Sequence, residues 1–444
     1  MKKTGLRLLL FTMLITLTAC SGGGGGTGES GENGGRKIVV VAVLSGSRFL
    51  DAAAQKFEDK HPDIDIEIKE YLSLPRPAEG QAMIAPSQTD IEKYVQTLTT
   101  QAIAGEGTDI ISLSALPLDQ FVAKNVLADL KARMEKDAAF DPSLYYNGIL
   151  ESMQHGDGLY ALPIGFYLEG IISANSGLLK QANLSINDST WTWDEFKDIS
   201  KKLQEQVGSD YTAFANVWPF QLLYESVDAN YEAFVQGKQA NFDSDLFRSL
   251  MRQIKSMYDE GVLSATPTQE FSKTLFTSYA LATPRSAVME MAQPQAAFYR
   301  KPTVDGHAGG ISVSPFNTFG LNSKSKVQDE AWEFLKFLLS EEMQSSPELE
   351  AYPMHKQAVE NKLEEVRASL ERGDLAGDVP DPEAFAKHSQ MLKSMLEQAG
   401  TSRSSDIKIV TMLEEEFDSY MNGQKTEEEV SRLIQSRVST YLNE

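Results

Sequence analysis

The 444-residue chain has a single cysteine, Cys20, and five histidines. One cysteine excludes an intrachain disulfide and any zinc or iron–sulfur site built on several thiolates. The histidines stand at 61, 155, 307, 355 and 388, scattered along the chain, and no His-Glu-x-x-His occurs. Positive charge is also short. Lys plus Arg number 41 against 63 Asp plus Glu, a formal net charge of -22. Such acidity excludes a protein that wraps nucleic acid or lies on an anionic membrane surface, because either partner is repelled. It excludes nothing about a neutral ligand. The glycine-rich stretches Gly22–Gly26 and Gly105–Gly107 lack phosphate-loop spacing, and Ser45-Gly46-Ser47 lacks the nucleophile-elbow pattern. A glycosidase needs two carboxylates about 5 to 9 Å apart across one bond. A chain with 63 acids always shows pairs, so none can be singled out. The 41% of hydrophobic residues suffices for a large core, and the length for two domains.

The amino terminus is the clearest signal present. Lys2, Lys3 and Arg7 precede an apolar run from Leu8 to Ala19. That run is shorter than the roughly 20 residues of a bilayer span and reads as a secretory signal, residues 1–19. Its end, Leu17-Thr18-Ala19-Cys20, resembles the lipobox of bacterial lipoproteins. The resemblance implies cleavage before Cys20, whose thiol then carries diacylglycerol with acyl chains such as palmitate. Residues 20–35, mostly Gly, Ser, Glu, Asn and Thr, then form a flexible tether. The expected product is an acidic body on the outer face of the cell membrane, held by the anchor at Cys20. Lipobox and linker together point to a Gram-positive host.

Lys37 to Leu44 is a β-branched run suited to a strand covered on both faces. Asp51–Lys60 reads as a helix stopped by Pro62, Ile64 to Ile68 as a strand, Tyr94–Ala104 as a helix, and Asp109 to Ser114 as a third strand. This alternation predicts an α/β layer with parallel strands. Ligands in such sheets bind beyond the carboxyl ends of strands, which points to Ser45, Ser47, Arg48, Ser112 and Ser114. Further along, Gly170 to Asn175 reads as a strand, Asp194 to Glu205 and Asp243 to Asp259 as helices, and Leu281 to Met291 as a strand or strand–helix boundary. Gly309 to Leu321 returns to strand character, and the last hundred residues are helical, with a final helix from near Thr426. Two α/β regions with returning segments predict two lobes and a cleft between them.

Several ordered blocks resemble the extracellular solute-binding proteins of bacterial ABC importers, in the sugar- and oligosaccharide-binding group that includes maltose-binding protein. They are Phe57 to Ile66 (FEDKHPDIDI), Gly105 to Ser112 (GEGTDIIS), Gly158 to Pro163 (GLYALP), Ile172 to Asn175 with Gly177 to Leu184, Trp193 to Phe196, Gly320 to Lys326 with Ala331 to Phe334, and Tyr352 to Met354. The resemblance implies an α/β, two-lobed type II periplasmic-binding-protein fold with a ligand cleft between the lobes. It implies an N-terminal lobe from 36–146 and 305–350, and a C-terminal lobe from 147–304 and 351–444. It also implies a monomeric receptor without cofactor or catalysis, closing on a carbohydrate and presenting it to ABC permease subunits. Thr283 to Met289 departs from the family's pattern, and Ser73 to Asp90 is longer and richer in proline, as suits a loop at the cleft rim.

A sugar presents flat apolar faces to aromatic rings and a rim of hydroxyls to polar side chains. The candidate contacts are therefore Phe166, Tyr167 and Glu169 after the Tyr-Ala-Leu-Pro block, Trp218 and Phe220, then Ser47, Arg48 and Ser114 at strand ends, with Arg285 and Tyr299. Trp191, Trp193 and Trp332 are expected to be structural. Peptides, polyamines or a uronic-acid-bearing glycan remain open as ligands, the last resting on Arg48, Arg76 and Arg285.

Overall fold

The computed structural model describes residues 32–33, 35–73, 86–106, 108–208, 211–215, 217–265, 273–293, 296–303, 311–375, 380–401 and 406–443. The expected signal peptide, Cys20, most of the tether, Arg76 and most of the proline-rich rim loop lie outside the described residues.

The first lobe begins as the alternation requires, with β1 (Arg36–Val43), α1 (Arg48–Lys60), β2 (Ile64–Glu70), α2 (Gln88–Ala104) and β3 (Ile110–Ser112). β1 lies parallel to both β2 and β3. Its side chains divide between two faces. Val39, Val41 and Val43 enter the main core with Phe49, Leu50 and Phe57 of α1. Ala42 meets Tyr94 and Leu98 of α2, with Ile111, on the opposite side. A strand buried on both faces explains the unbroken apolar run.

The join between lobes is made by β4 (Leu162–Asn175). Downstream come α3 (Trp193–Val207), β5 (Thr212–Ala215), α4 (Pro219–Ala229), α5 (Asp245–Asp259), β6 (Thr274–Leu281), α6 (Pro284–Met291), β7 (Ala296–Arg300) and β8 (Ile311–Leu321). The first half of β4 pairs with β8, from Leu162↔Phe319 to Leu168↔Val313. Its second half pairs with β6 and β7, as in Ile172↔Ser278 and Ile172↔Tyr299. One sheet of order β1-β3-β8-β4-β6-β5 therefore runs through both lobes. Leu162, Ile164, Phe166, Leu168 and Ile171 belong to the first core, whereas Ile172 and Ala174 belong to the second, with Trp191, Phe196, Phe214, Phe247 and Phe276. Gly170 has φ +68, a left-handed backbone that glycine adopts without a Cβ clash.

Helices complete both cores: α7 (Gln328–Leu338), α8 (Lys356–Arg372), α9 (Pro382–Glu397), α10 (Ile407–Met421) and α11 (Glu427–Asn443). In α5, Phe247, Leu250, Met251, Ile254 and Met257 recur at helical spacing and are buried in the second core. At α3 the Thr192 hydroxyl accepts from the Glu195 N–H while the Glu195 carboxylate accepts from the Thr192 N–H. Such a capping box contributes about 1 kcal/mol. Trp191, Trp193 and Trp332 are all buried.

The lobe boundaries differ from the expected ones. Ile149, Leu150 and Leu159 pack in the first core, so the crossing falls near Gly170 and not at 147. The length of β4 is the reason, since one strand reaches both cores. Val359 and Leu363 of α8, Phe385 and Leu392 of α9, and Ala287 and Val288 of α6 also join the first core. Among the described C-terminal helices, α10 and α11 alone reach the second, through Leu413, Phe417, Ile434 and Val438. The stretch read as a strand–helix boundary separates into β6, ending at Leu281, and α6, starting at Pro284.

Candidate ligand cleft

A cavity of about 1120 Å³ opens between the lobes, with Glu169, Gly170, Ser312, Ser314 and Thr318 of the two hinge strands at its floor. The first lobe supplies Leu113 to Leu116, Asp119 and the segment Ser152 to His155. In that wall His155 Nδ1 lies 3.2 Å from Asp119 Oδ1.

The second wall is α4. Pro219 occupies its first turn, where a missing N–H costs nothing, and Trp218 precedes it as the N-cap residue. Leu222, Leu223 and Val227 are buried in the second core, which turns Gln221, Tyr224, Glu225 and Asp228 toward the cavity. The helical period thus separates an apolar stripe from a polar one. Trp218 is 58% exposed and lines the opening, an indole held by the backbone of its helix and not by a packed core.

Charge within the cavity is uneven. Asp119, Glu169, Glu225, Asp228, Asp406, Glu414 and Asp418 line it, against Arg300 and Lys301. Lys301 Nζ sits 2.9 Å from both oxygens of Glu225, and its backbone N–H donates to the Gly170 carbonyl at 2.7 Å. Burial pushes the Glu169 carboxyl above its ordinary value; the Glu225 charge adds to this, Lys301 opposes it, and the Ser314 hydroxyl donates to the carboxylate. Burial likewise raises the Tyr224 phenol, reinforced by Asp228, Glu169 and Glu225.

At the rim, Asp406 precedes α10, whose Glu414 and Asp418 face the cavity. Tyr441 of α11 closes this edge. Its hydroxyl donates to Asp406 Oδ2 at 2.6 Å and accepts from Gln120 Nε2 at 2.8 Å. Gln120 lies on the short helix Leu118–Ala123, whose Phe121 is in the smaller core of the first lobe.

Of the candidate contacts, the structure gathers Ser114, Glu169, Trp218 and Phe220 in the cavity lining. The others lie elsewhere. Ser47 caps α1, its hydroxyl accepting from the Leu50 N–H. Arg48 pairs with Glu348 at 3.1 Å and Glu350 at 3.3 Å. Phe166 is fully buried and stacks on Tyr352, so neither face of its ring is open to a ligand. Tyr167 packs against Phe316, and burial with the Glu350 charge pushes its phenol up to about 12. Arg285 is exposed on α6, and Tyr299 packs beside Trp191 and lines a separate depression with Leu179 and Asn183. Arg48 and Arg285 are thus off the lining, and Arg76, the third arginine of the uronic-acid expectation, lies outside the described residues.

Sequence reasoning missed Tyr224, Glu225, Asp228, Lys301 and the acids of α10. The stripe at 221, 224, 225 and 228 was visible as a pattern, but it is identical to that of a solvated helix face.

The model of the family "Bacterial extracellular solute-binding protein" matches residues 43–345. Among solved structures, the sugar-binding protein MalE from Xanthomonas citri is similar over 92% of this chain and 98% of its own, with TM-score 0.63 and 15% identity. An ABC substrate-binding protein from Listeria monocytogenes in complex with cycloalternan is similar over 91% and 99%, with TM-score 0.58 and 15% identity. Maltose-bound MalE3 from T. maritima covers 91% and 99%, with TM-score 0.57 and 15% identity. At these identities the likeness is one of fold: the two-lobed type II periplasmic-binding-protein architecture.

Proposed function

The chain belongs to the bacterial extracellular solute-binding proteins, and from that premise we propose that it captures a sugar or oligosaccharide in the interlobe cleft and delivers it to the permease of an ABC importer. Trp218 carries the reading. A tryptophan exposed at the mouth of a cavity with polar walls is what a saccharide needs: a flat face for its C–H surface and hydroxyl partners around it. The solved proteins of the same fold in complex with cycloalternan and with maltose support the choice of ligand class. Catalysis has no part in this reading. Contacts from both lobes would favour the closed arrangement over the open one, a population shift about the hinge.

Thermal unfolding of the purified protein against mono- and oligosaccharides tests this. A ligand at one hundred times its dissociation constant stabilises the folded state by about 2.7 kcal/mol. A midpoint rise with one glycan class identifies the cargo; a rise only with peptides or inorganic ions overturns the saccharide reading.

The lipobox supports anchoring through Cys20, with the tether leading to the folded body. Substituting Cys20→Ser should release the protein into the medium and abolish labelling by a palmitate analogue. Continued labelling of the variant would sink the anchor assignment.

A further inference from the structure

We propose that Tyr224 sets the specificity of this cleft: its hydroxyl donates to one hydroxyl oxygen of the bound saccharide, and that sugar hydroxyl donates in turn to the Glu169 carboxylate. The inference rests on the receptor reading above and deepens it, from a cleft that admits a sugar to one that reads a single hydroxyl group near the hinge.

The observation behind it is a donor left over. The acids around it are engaged by the protein itself. Glu225 accepts from Lys301 Nζ at 2.9 Å through both oxygens and from Gln221 Nε2 at 3.0 Å. Asp228 is engaged as well, and Glu169 accepts from the Ser314 hydroxyl. Tyr224 differs. Among the described residues its hydroxyl has no hydrogen-bond partner, although Glu169, Glu225 and Asp228 stand near enough to act on it through their charges. The phenol is partly buried on the polar stripe of α4 and lines the cavity, as does Glu169 on β4. Burial raises the phenol above its ordinary value, so it keeps its proton at neutral pH and presents it as a donor. Glu169, bonded by one hydroxyl, has lone pairs to spare. In an open cleft water serves both groups. Closure removes the water, and each group then bears the cost of desolvation unless the ligand replaces it. A hydroxyl repairs both at once, because it accepts through its oxygen and donates through its proton. A methylated oxygen cannot donate to Glu169, and a deoxy position does neither. Trp218 at the mouth takes the flat face of a sugar ring and does not tell these apart. A site built to bond a hydroxyl does, since the analogue lacking it leaves buried polar groups unpaired.

The test is calorimetric titration of the purified protein with maltose, cellobiose, lactose and xylobiose, and then with the monodeoxy and mono-O-methyl analogues of each sugar that binds. In the parent, the analogues altered at one position should bind about tenfold more weakly than the intact sugar. Tyr224→Phe removes a single oxygen and should melt within about 1 °C of the parent. In that variant the intact sugar should bind several-fold more weakly, and the penalty at that one position should largely vanish while those at other positions stay. Such coupling between one side chain and one sugar hydroxyl is not produced by a tyrosine that only packs. Unchanged affinity in Tyr224→Phe, or an undiminished penalty at every position, overturns the assignment and leaves the saccharide receptor standing. Binding of none of the four sugars also overturns it, whereas a melting rise with peptides or inorganic ions alone is what overturns the receptor reading beneath it.

Discussion

Gln120 and Tyr441 meet across the mouth of the cleft, the amide of one donating to the phenol of the other at 2.8 Å, although the two belong to different lobes. Tyr441 passes its own proton toward Asp406 at 2.6 Å, so one hydroxyl joins an N-terminal helix to the segment ahead of α10. The contact lies at the rim, away from the hinge strands, where a weak bond has the longest lever over opening.

Removing that hydroxyl should loosen the rim. A typical hydrogen bond contributes about 1 kcal/mol, enough to change a two-state ratio several-fold. Tyr441→Phe should therefore enlarge the radius of gyration of the ligand-free protein in small-angle scattering, with its melting temperature nearly unchanged. An identical scattering curve would show that the bridge does not hold the lobes.

Trp218 offers the cleanest separation of binding from folding. Its side chain is mostly exposed, so Trp218→Ala should leave the melting curve within about 1 °C of the parent. Loss of stacking, about 1 kcal/mol beyond the area buried, should weaken saccharide binding by about tenfold or more in calorimetry.

Gly170→Ala addresses the crossing point. The new Cβ would stand 3.3 Å from Ser312 Oγ in a backbone at φ +68. Left-handed conformation costs a residue with a Cβ about 1–2 kcal/mol. The variant should melt about 2 °C or more below the parent by calorimetry. An unshifted midpoint would mean that β4 crosses between the lobes without that strain.

Glu169 gives a pH dependence of defined sign. Its folded value is raised above the ordinary 4.5, chiefly by burial. The folded state therefore holds its proton more tightly than the unfolded chain, and stability falls as pH rises from near 4.5 through the raised value. In the ligand-free protein, Glu169→Gln should melt higher than the parent at pH 7, and the gap should close below pH 4.5. A variant less stable than the parent at pH 7 would contradict the burial argument.

Sequence and structure agree best where local chemistry decides. The β-branched run at 37–44, the proline stop after α1 and the Thr192/Glu195 cap each act within a few residues, and each element formed close to its expected place. Ser114, Trp218 and Phe220 reached the cavity for a related reason, since they sit just past a strand end or at a helix start, whereas Glu169 lies within β4 beside the crossing at Gly170. Phe166 did not, because alternation along β4 sends it to the core side of a strand whose partners, β8 and Tyr352, come from more than 140 residues away. Arg48 was lost to Glu348 and Glu350 for the same cause. The acids of α4 and α10 face one another only after two helices far apart in sequence dock in the second lobe, and no window along the chain contains that meeting.

The interleaving of the lobes sets a schedule for the growing polypeptide. Trp191, Phe214, Phe247 and Phe276 are ready long before α11 arrives, yet Val430, Ile434, Val438 and Tyr441 complete the cluster they form. Until those residues emerge, a nascent chain shows a wide aromatic surface with nothing to cover it, which invites binding by chaperones and delays collapse. For a member of an extracellular family, such lateness is an advantage: the chain stays pliable until the last described helix is free to dock.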